Sequence, residues 1–222
     1  MITFKQFRDS VQQAVYFLID PGIRLMIRVG ITPNMITTLG MLGNVFAAAL
    51  FVYSALYVPA DDYSLVGWAG VTIILFSIFD MIDGRLARVG NMCTTFGAFY
   101  DSVLDRYCEL FTLSGIAFYF MQRGDTLSAI ITFLALIGSI MVSYVRARAE
   151  GLGLDCKVGL MQRPERVVVT SVGAMLCGAL SPVVRDLFNP AWILLFPQIL
   201  IAVLANWTAY KRIQHVQRQL SK

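Results

Sequence analysis

Apolar residues run along the chain in six long blocks, separated by short polar connections. The blocks fall at Met35–Val58, Ser64–Leu86, Phe96–Met121, Leu127–Val145, Val167–Val184 and Ala191–Tyr210. Most approach the roughly 20 residues that an α-helix needs to cross about 30 Å of hydrocarbon. They lack the alternation of a β-barrel strand, and a chain in lipid must satisfy its own backbone hydrogen bonds, so each is predicted to be a helix. The first thirty residues follow another rhythm. Phe4, Phe7, Val11, Val15 and Leu18 recur at three- and four-residue steps, with Lys5, Arg8, Asp9, Gln12 and Gln13 on the opposite side. This pattern predicts a helix lying in the headgroup plane. Pro21-Gly22 is read as its end, followed by a second short piece over Ile23–Val29 and a turn at Thr32-Pro33-Asn34.

The expected fold is therefore an all-α integral membrane protein, with an N-terminal interfacial amphipathic helix and six transmembrane helices. Residues 1–30 are expected to form the interfacial part and 31–222 the six-helix transmembrane part of a single domain. Composition agrees: 57% of the 222 residues are hydrophobic and 14% are charged. Soluble domains carry about a quarter charged residues, so a soluble enzyme and a disordered chain are excluded. Fifteen Lys and Arg lie before the first block or in connections two and four and the tail, against Arg123 and Arg185 in the remaining loops. The positive-inside rule then puts both termini in the cytoplasm. The basic residues are juxtamembrane, so no nucleic-acid partner is expected. Cys93, Cys108, Cys156 and Cys177 are scattered, without metal-ligand spacing.

The second and third blocks contain Asp80, Asp83, Asp101, Asp105 and Glu109. An acid near a membrane-helix centre costs about 2.5–3.5 kcal/mol. Asp80 and Asp83 are three apart and Asp101 and Asp105 four apart, so each pair shares a helical face. A short connection containing Gly90 makes the two helices antiparallel neighbours, bringing four carboxylates together near the cytoplasmic end. Hard oxygen ligands in such a cluster suit Mg²⁺, Mn²⁺ or Ca²⁺, and four negative charges match two divalent ions, the arrangement used for phosphoryl displacement. Gly84, Ala87 and Gly97 leave room for a close approach to the backbone, and Arg88 is placed to meet a phosphate. The same acids also fit a cation or proton pathway.

The string Asp80-Met-Ile-Asp83-Gly84-Arg-Leu-Ala87-Arg88, with Gly97, Asp101 and Asp105 at the following spacings, resembles the signature DxxDGxxAR-x8-GxxxDxxxD of the CDP-alcohol phosphotransferase family. All eight fixed identities are present. The resemblance implies transfer of a phosphatidyl group from CDP-diacylglycerol to an alcohol, with release of CMP. It implies that Asp80, Asp83 and Asp101 hold two Mg²⁺ or Mn²⁺ ions, that Asp105 assists them and acts as base, and that Gly84, Ala87 and Arg88 line the cytidine and diphosphate site. A homodimer is the family's common state.

For the acceptor, Arg146 and Arg148 end the fourth block, and Arg163 and Arg166, three apart, open the fifth. The positive-inside rule alone accounts for such residues; an anion pocket does so too, because guanidinium forks match phosphate. The strings Asp101-Ser-Val-Leu-Asp105-Arg106 and SYVRARAEG…QRPER are similar to the phosphatidylinositol-phosphate synthase branch. That likeness implies inositol 1-phosphate as acceptor, with Arg146, Arg148, Arg163 and Arg166 in its pocket. Glycerol 3-phosphate and serine are the alternative acceptors.

Overall fold

The structure is a computed structural model that describes residues 19–221. The amphipathic pattern from Phe4 to Leu18 lies outside those residues. The described chain is helical apart from its connections. Helix α1 covers residues 19–29, followed by α2 (Pro33–Tyr57), α3 (Ser64–Val89), α4 (Thr95–Gln122), α5 (Thr126–Glu150), α6 (Arg163–Val184) and α7 (Ala191–Leu220). The six long helices coincide with the six apolar blocks. Five are long and apolar enough to cross a membrane; α4, which carries Asp101, Asp105, Arg106 and Glu109, is the exception.

Two boundaries differ from the sequence reading. Pro21-Gly22 does not end a helix, because residues 19–29 are helical straight through it. Inside a helix proline costs about 3 kcal/mol and glycine about 1 kcal/mol. Tertiary contacts outweigh that cost: Ile23 is buried with Ile36 and Leu86, and Asp20 accepts two hydrogen bonds from Arg85, at 2.9 and 2.8 Å. Similarly, residues 211–220 are not a separate tail but the last turns of α7. Arg212 is buried there and donates to the carbonyls of Val142 and Val158.

The described residues form two compact units, one of residues 19–42 and 76–105, the other of residues 43–75 and 106–221. In the first, α1 ends at Gly30 (φ +80°), whose left-handed backbone lets Ile31 N–H reach Met26 O at 3.0 Å. The reversal from α3 to α4 is closed by Met92 N–H on Ala87 O at 2.9 Å, and Thr94 Oγ1 accepts the Gly97 N–H at the start of α4.

In the second unit, Phe51, Val66, Ile73, Ile116, Tyr119 and Leu194 form a buried core. Its helices approach through small residues, as expected where lipid supplies no hydrophobic drive for association. A Cβ on Gly70 would stand 2.6 Å from Ser171 O, and Gly173 is covered by the ring of Pro197. Arg123 donates to the carbonyls of Ser54, Val58 and Pro59 at the end of α2, a cation placed at the negative end of the helix dipole. The connection from α5 to α6 ends in a capping box between Gln162 and Glu165, with Pro164 in the first turn of α6.

Candidate active site

The acids meet in the first unit because the α3–α4 reversal sets their helical faces together. Asp80, Asp101 and Asp105 each offer one carboxylate oxygen within 4.8 Å of the others, and all three are half-buried. At 5 Å and an effective dielectric of 20, two unit charges repel by about 3 kcal/mol. Three like charges at this separation are a poor arrangement on their own and a good one around a divalent cation. Oxygen-only ligands suit the hard ions Mg²⁺ and Mn²⁺.

Asp83, the fourth acid of the signature, is placed differently. It is almost fully buried and accepts a 2.6 Å hydrogen bond from Thr37 Oγ1 on α2. Sequence reasoning did not single out Thr37. Its signal was faint: a polar residue one turn into an apolar helix, with its partner 46 positions away. Asn34, which by its position after Pro33 suits either a cap for the first span or a contact with the nucleotide, is the second residue of α2, and the capping interaction comes from Thr32 Oγ1, which accepts Met35 N–H at 3.4 Å.

A cavity of about 230 Å³ opens beside these residues. Asn34 and Thr37 line it from α2; Asp83, Gly84, Ala87 and Arg88 from α3; Gly97 and Asp101 from α4. Asp101 thus belongs both to the carboxylate group and to the cavity wall. Gly84 faces open space. A Cβ built on it would meet only the Arg88 guanidinium, at 3.7 and 3.8 Å. Helix packing therefore does not require glycine at this position. A ligand that presses against the backbone does, and Arg88 stands over the same spot as a phosphate-matching fork. Gly97 is tighter, with Thr94 Oγ1 at 3.0 Å and Asn34 Oδ1 at 3.4 Å from a built Cβ.

The four arginines expected at an acceptor pocket lie in the second unit, in four different settings. Arg146 pairs with Glu150 at 2.8 Å on the surface of α5. Arg148 is exposed and Arg163, the first residue of α6, is half-buried. Arg166 is buried and turned inward: Nε and Nη2 both bond Glu109 Oε1, and Nη1 bonds the Met161 carbonyl. Arg106 Nε lies 3.7 Å from Glu109 Oε2.

Residues 30–209 match the family model described as CDP-alcohol phosphatidyltransferase. The chain belongs to that family. Among curated relatives, the phosphatidylinositol phosphate synthase of Mycobacteroides abscessus is 33% identical over 177 residues, covering 79% of this chain and 76% of the relative. That of Corynebacterium glutamicum is 34% identical over 171 residues, covering 76% and 74%. A crystal structure of Mycobacterium tuberculosis phosphatidylinositol phosphate synthase with CDP-DAG bound aligns at a TM-score of 0.74 and 30% identity, over 88% of this chain and 92% of that one. The same protein in complex with manganese and citrate aligns at 0.73 and 29%, over 89% and 88%. This CDP-alcohol phosphatidyltransferase is accordingly an integral membrane enzyme that depends on a divalent metal.

Proposed function

We propose that the enzyme moves a phosphatidyl group from CDP-diacylglycerol to inositol 1-phosphate and releases CMP. The observation that carries this reading is the carboxylate group of Asp80, Asp101 and Asp105, joined through Asp101 to a cavity that leaves the Gly84 backbone bare beneath Arg88. The synthase relatives support the acceptor.

In this reading Asp80, Asp83, Asp101 and Asp105 hold two divalent ions. When bound, those ions supply the positive charge that offsets the diphosphate and the leaving oxygen. Thr37 orients the Asp83 carboxylate. Gly84 and Ala87 admit the cytidine diphosphate, and Arg88 holds its phosphate oxygens. Asp105 takes the proton of the acceptor hydroxyl. The hydroxyl oxygen then bonds the phosphorus that bears the diacylglycerol, and the bond from that phosphorus to the bridging oxygen breaks, so CMP departs with that oxygen. Arginines at the α5–α6 connection receive the phosphate of the acceptor.

The same reading makes α4 the sixth transmembrane helix: at 28 residues it is about 42 Å long. It places both termini and the active site in the cytoplasm, following the Lys and Arg distribution, and makes the enzyme a homodimer. A cation pathway explains neither the bare Gly84 nor the cavity.

The test is CMP release by the purified enzyme with CDP-diacylglycerol and Mg²⁺. Inositol 1-phosphate should be used faster than glycerol 3-phosphate, serine or inositol. A preference for serine would discard the acceptor and keep the phosphatidyl transfer.

A further inference from the structure

Arg166 combines three properties that an acceptor-binding arginine should not have. Its side chain is 4% exposed. Three of its five N–H donors, one on each nitrogen, are already engaged, two on Glu109 Oε1 at 3.0 and 2.5 Å and one on Met161 O at 2.5 Å. Its partner Glu109 is equally buried, at 5%. A phosphate that drew this guanidinium away would leave a buried carboxylate without its counter-charge, and uncompensated buried charge is strongly destabilising.

The carbonyl it holds belongs to Met161, which has a left-handed backbone (φ +57°) unusual for a residue with a side chain. Three more carbonyls of the α5–α6 connection are gripped in the same manner by α7. Gln219 donates to Asp155 O at 3.0 Å, Arg212 to Val158 O at 2.8 Å and Thr208 to Leu160 O at 2.8 Å. The connection is thus set by side chains that take its carbonyls, and Arg166 supplies the grip nearest α6, anchored to α4 through Glu109.

We propose that Arg166 is a positioning residue. Its pairing with Glu109 fixes the α5–α6 connection and the amino end of α6, so that Arg163, one turn earlier, meets the acceptor phosphate. This rests on the acceptor reading above for the identity of the ligand, but not for the clamp itself.

The test compares Arg166→Ala, Glu109→Ala and the double variant in the full-length enzyme. CMP release is measured against acceptor and CDP-diacylglycerol concentration in turn, using whichever acceptor the wild type prefers. Both single variants should raise the acceptor KM at least about tenfold and leave the CDP-diacylglycerol KM unchanged. The double variant should be no worse than Arg166→Ala. Hydrogen exchange at residues 152–161, read without any acceptor, should quicken in all three. If a truncation fails to fold, Glu109→Gln and Arg166→Lys decide by the same readings. An acceptor KM raised by the Arg166 changes alone, with Glu109 variants and exchange like wild type, would overturn the proposal and return Arg166 to the acceptor. A wild type that prefers another acceptor would overturn the acceptor reading only, because the exchange measurement stands apart from it.

Discussion

Gly84→Ala separates a ligand-binding glycine from a packing glycine. The new methyl would have no protein neighbour closer than the Arg88 guanidinium at 3.7 Å, an ordinary van der Waals distance. Folding therefore gains: alanine is about 1 kcal/mol better than glycine inside a helix, and no packing loss offsets it. The methyl instead enters a cavity of about 230 Å³ at the point where Arg88 would meet the diphosphate. Overpacking a close contact costs about 1–3 kcal/mol, which in affinity is roughly 5- to 150-fold. The assay is CMP release against CDP-diacylglycerol concentration, with thermal unfolding in the same detergent. The expected result is a KM raised by roughly 5- to 150-fold with an unchanged or slightly higher unfolding midpoint. Gly70→Ala is the control, since its Cβ would meet backbone at 2.6 Å and should lower the midpoint. A Gly84→Ala enzyme with wild-type KM would refute the placement of the nucleotide in this cavity.

Three further outcomes are expected. Thr37→Val removes the hydrogen bond on buried Asp83 at nearly constant volume. Bonds to charged groups are worth about 1.5–3 kcal/mol, so the Mn²⁺ concentration for half-maximal activity should rise by roughly ten- to a hundredfold; a wild-type Mn²⁺ curve would remove Thr37 from the site. Mn²⁺ should raise the unfolding midpoint and EDTA should reverse it. At a hundred times its dissociation constant a ligand adds about 2.7 kcal/mol, and Asp101→Asn should lose this response. Finally, the hydrogen bonds and charge of Arg85 hold the Asp20 carboxyl below its ordinary value. A depressed acid stabilises above its unfolded pKa and loses that contribution as pH falls through the folded one. Hydrogen-exchange protection over residues 23–29 should therefore stay level from neutral pH down to the ordinary carboxylate range and fall only below it. Arg85→Gln should lower the protection at neutral pH and abolish that acid step.

Local spacing made the acid cluster legible before any coordinates. The three- and four-residue steps within Asp80/Asp83 and Asp101/Asp105 fix faces on single helices, and a short reversal brings those faces together. The limit came where a side chain's partner lies far along the chain. Arg166 looked like one of two arginines facing a ligand because Glu109, 57 positions away, carries no mark linking the two. Thr37 was silent for the same reason with respect to Asp83. The end of α7 reads as a basic tail on an anionic membrane face because Arg212 finds its acceptors far off in the chain, at Val142 and Val158. Pro21-Gly22 read as a break because the burial of Ile23 against Ile36 and Leu86 is invisible to local rules.

The Pro197 ring resting on Gly173 carries an implication for how this sequence can drift. Any side chain at 173 collides with the proline, and removing the proline alone leaves an empty notch over the glycine. A side chain at 173 is harmful while the ring stays, whereas replacing Pro197 both restores a helical N–H to α7 and opens the space for it. The two positions are thus tied by epistasis with a direction, and a side chain at 173 should arise only with or after loss of the proline, in laboratory selection as in descent.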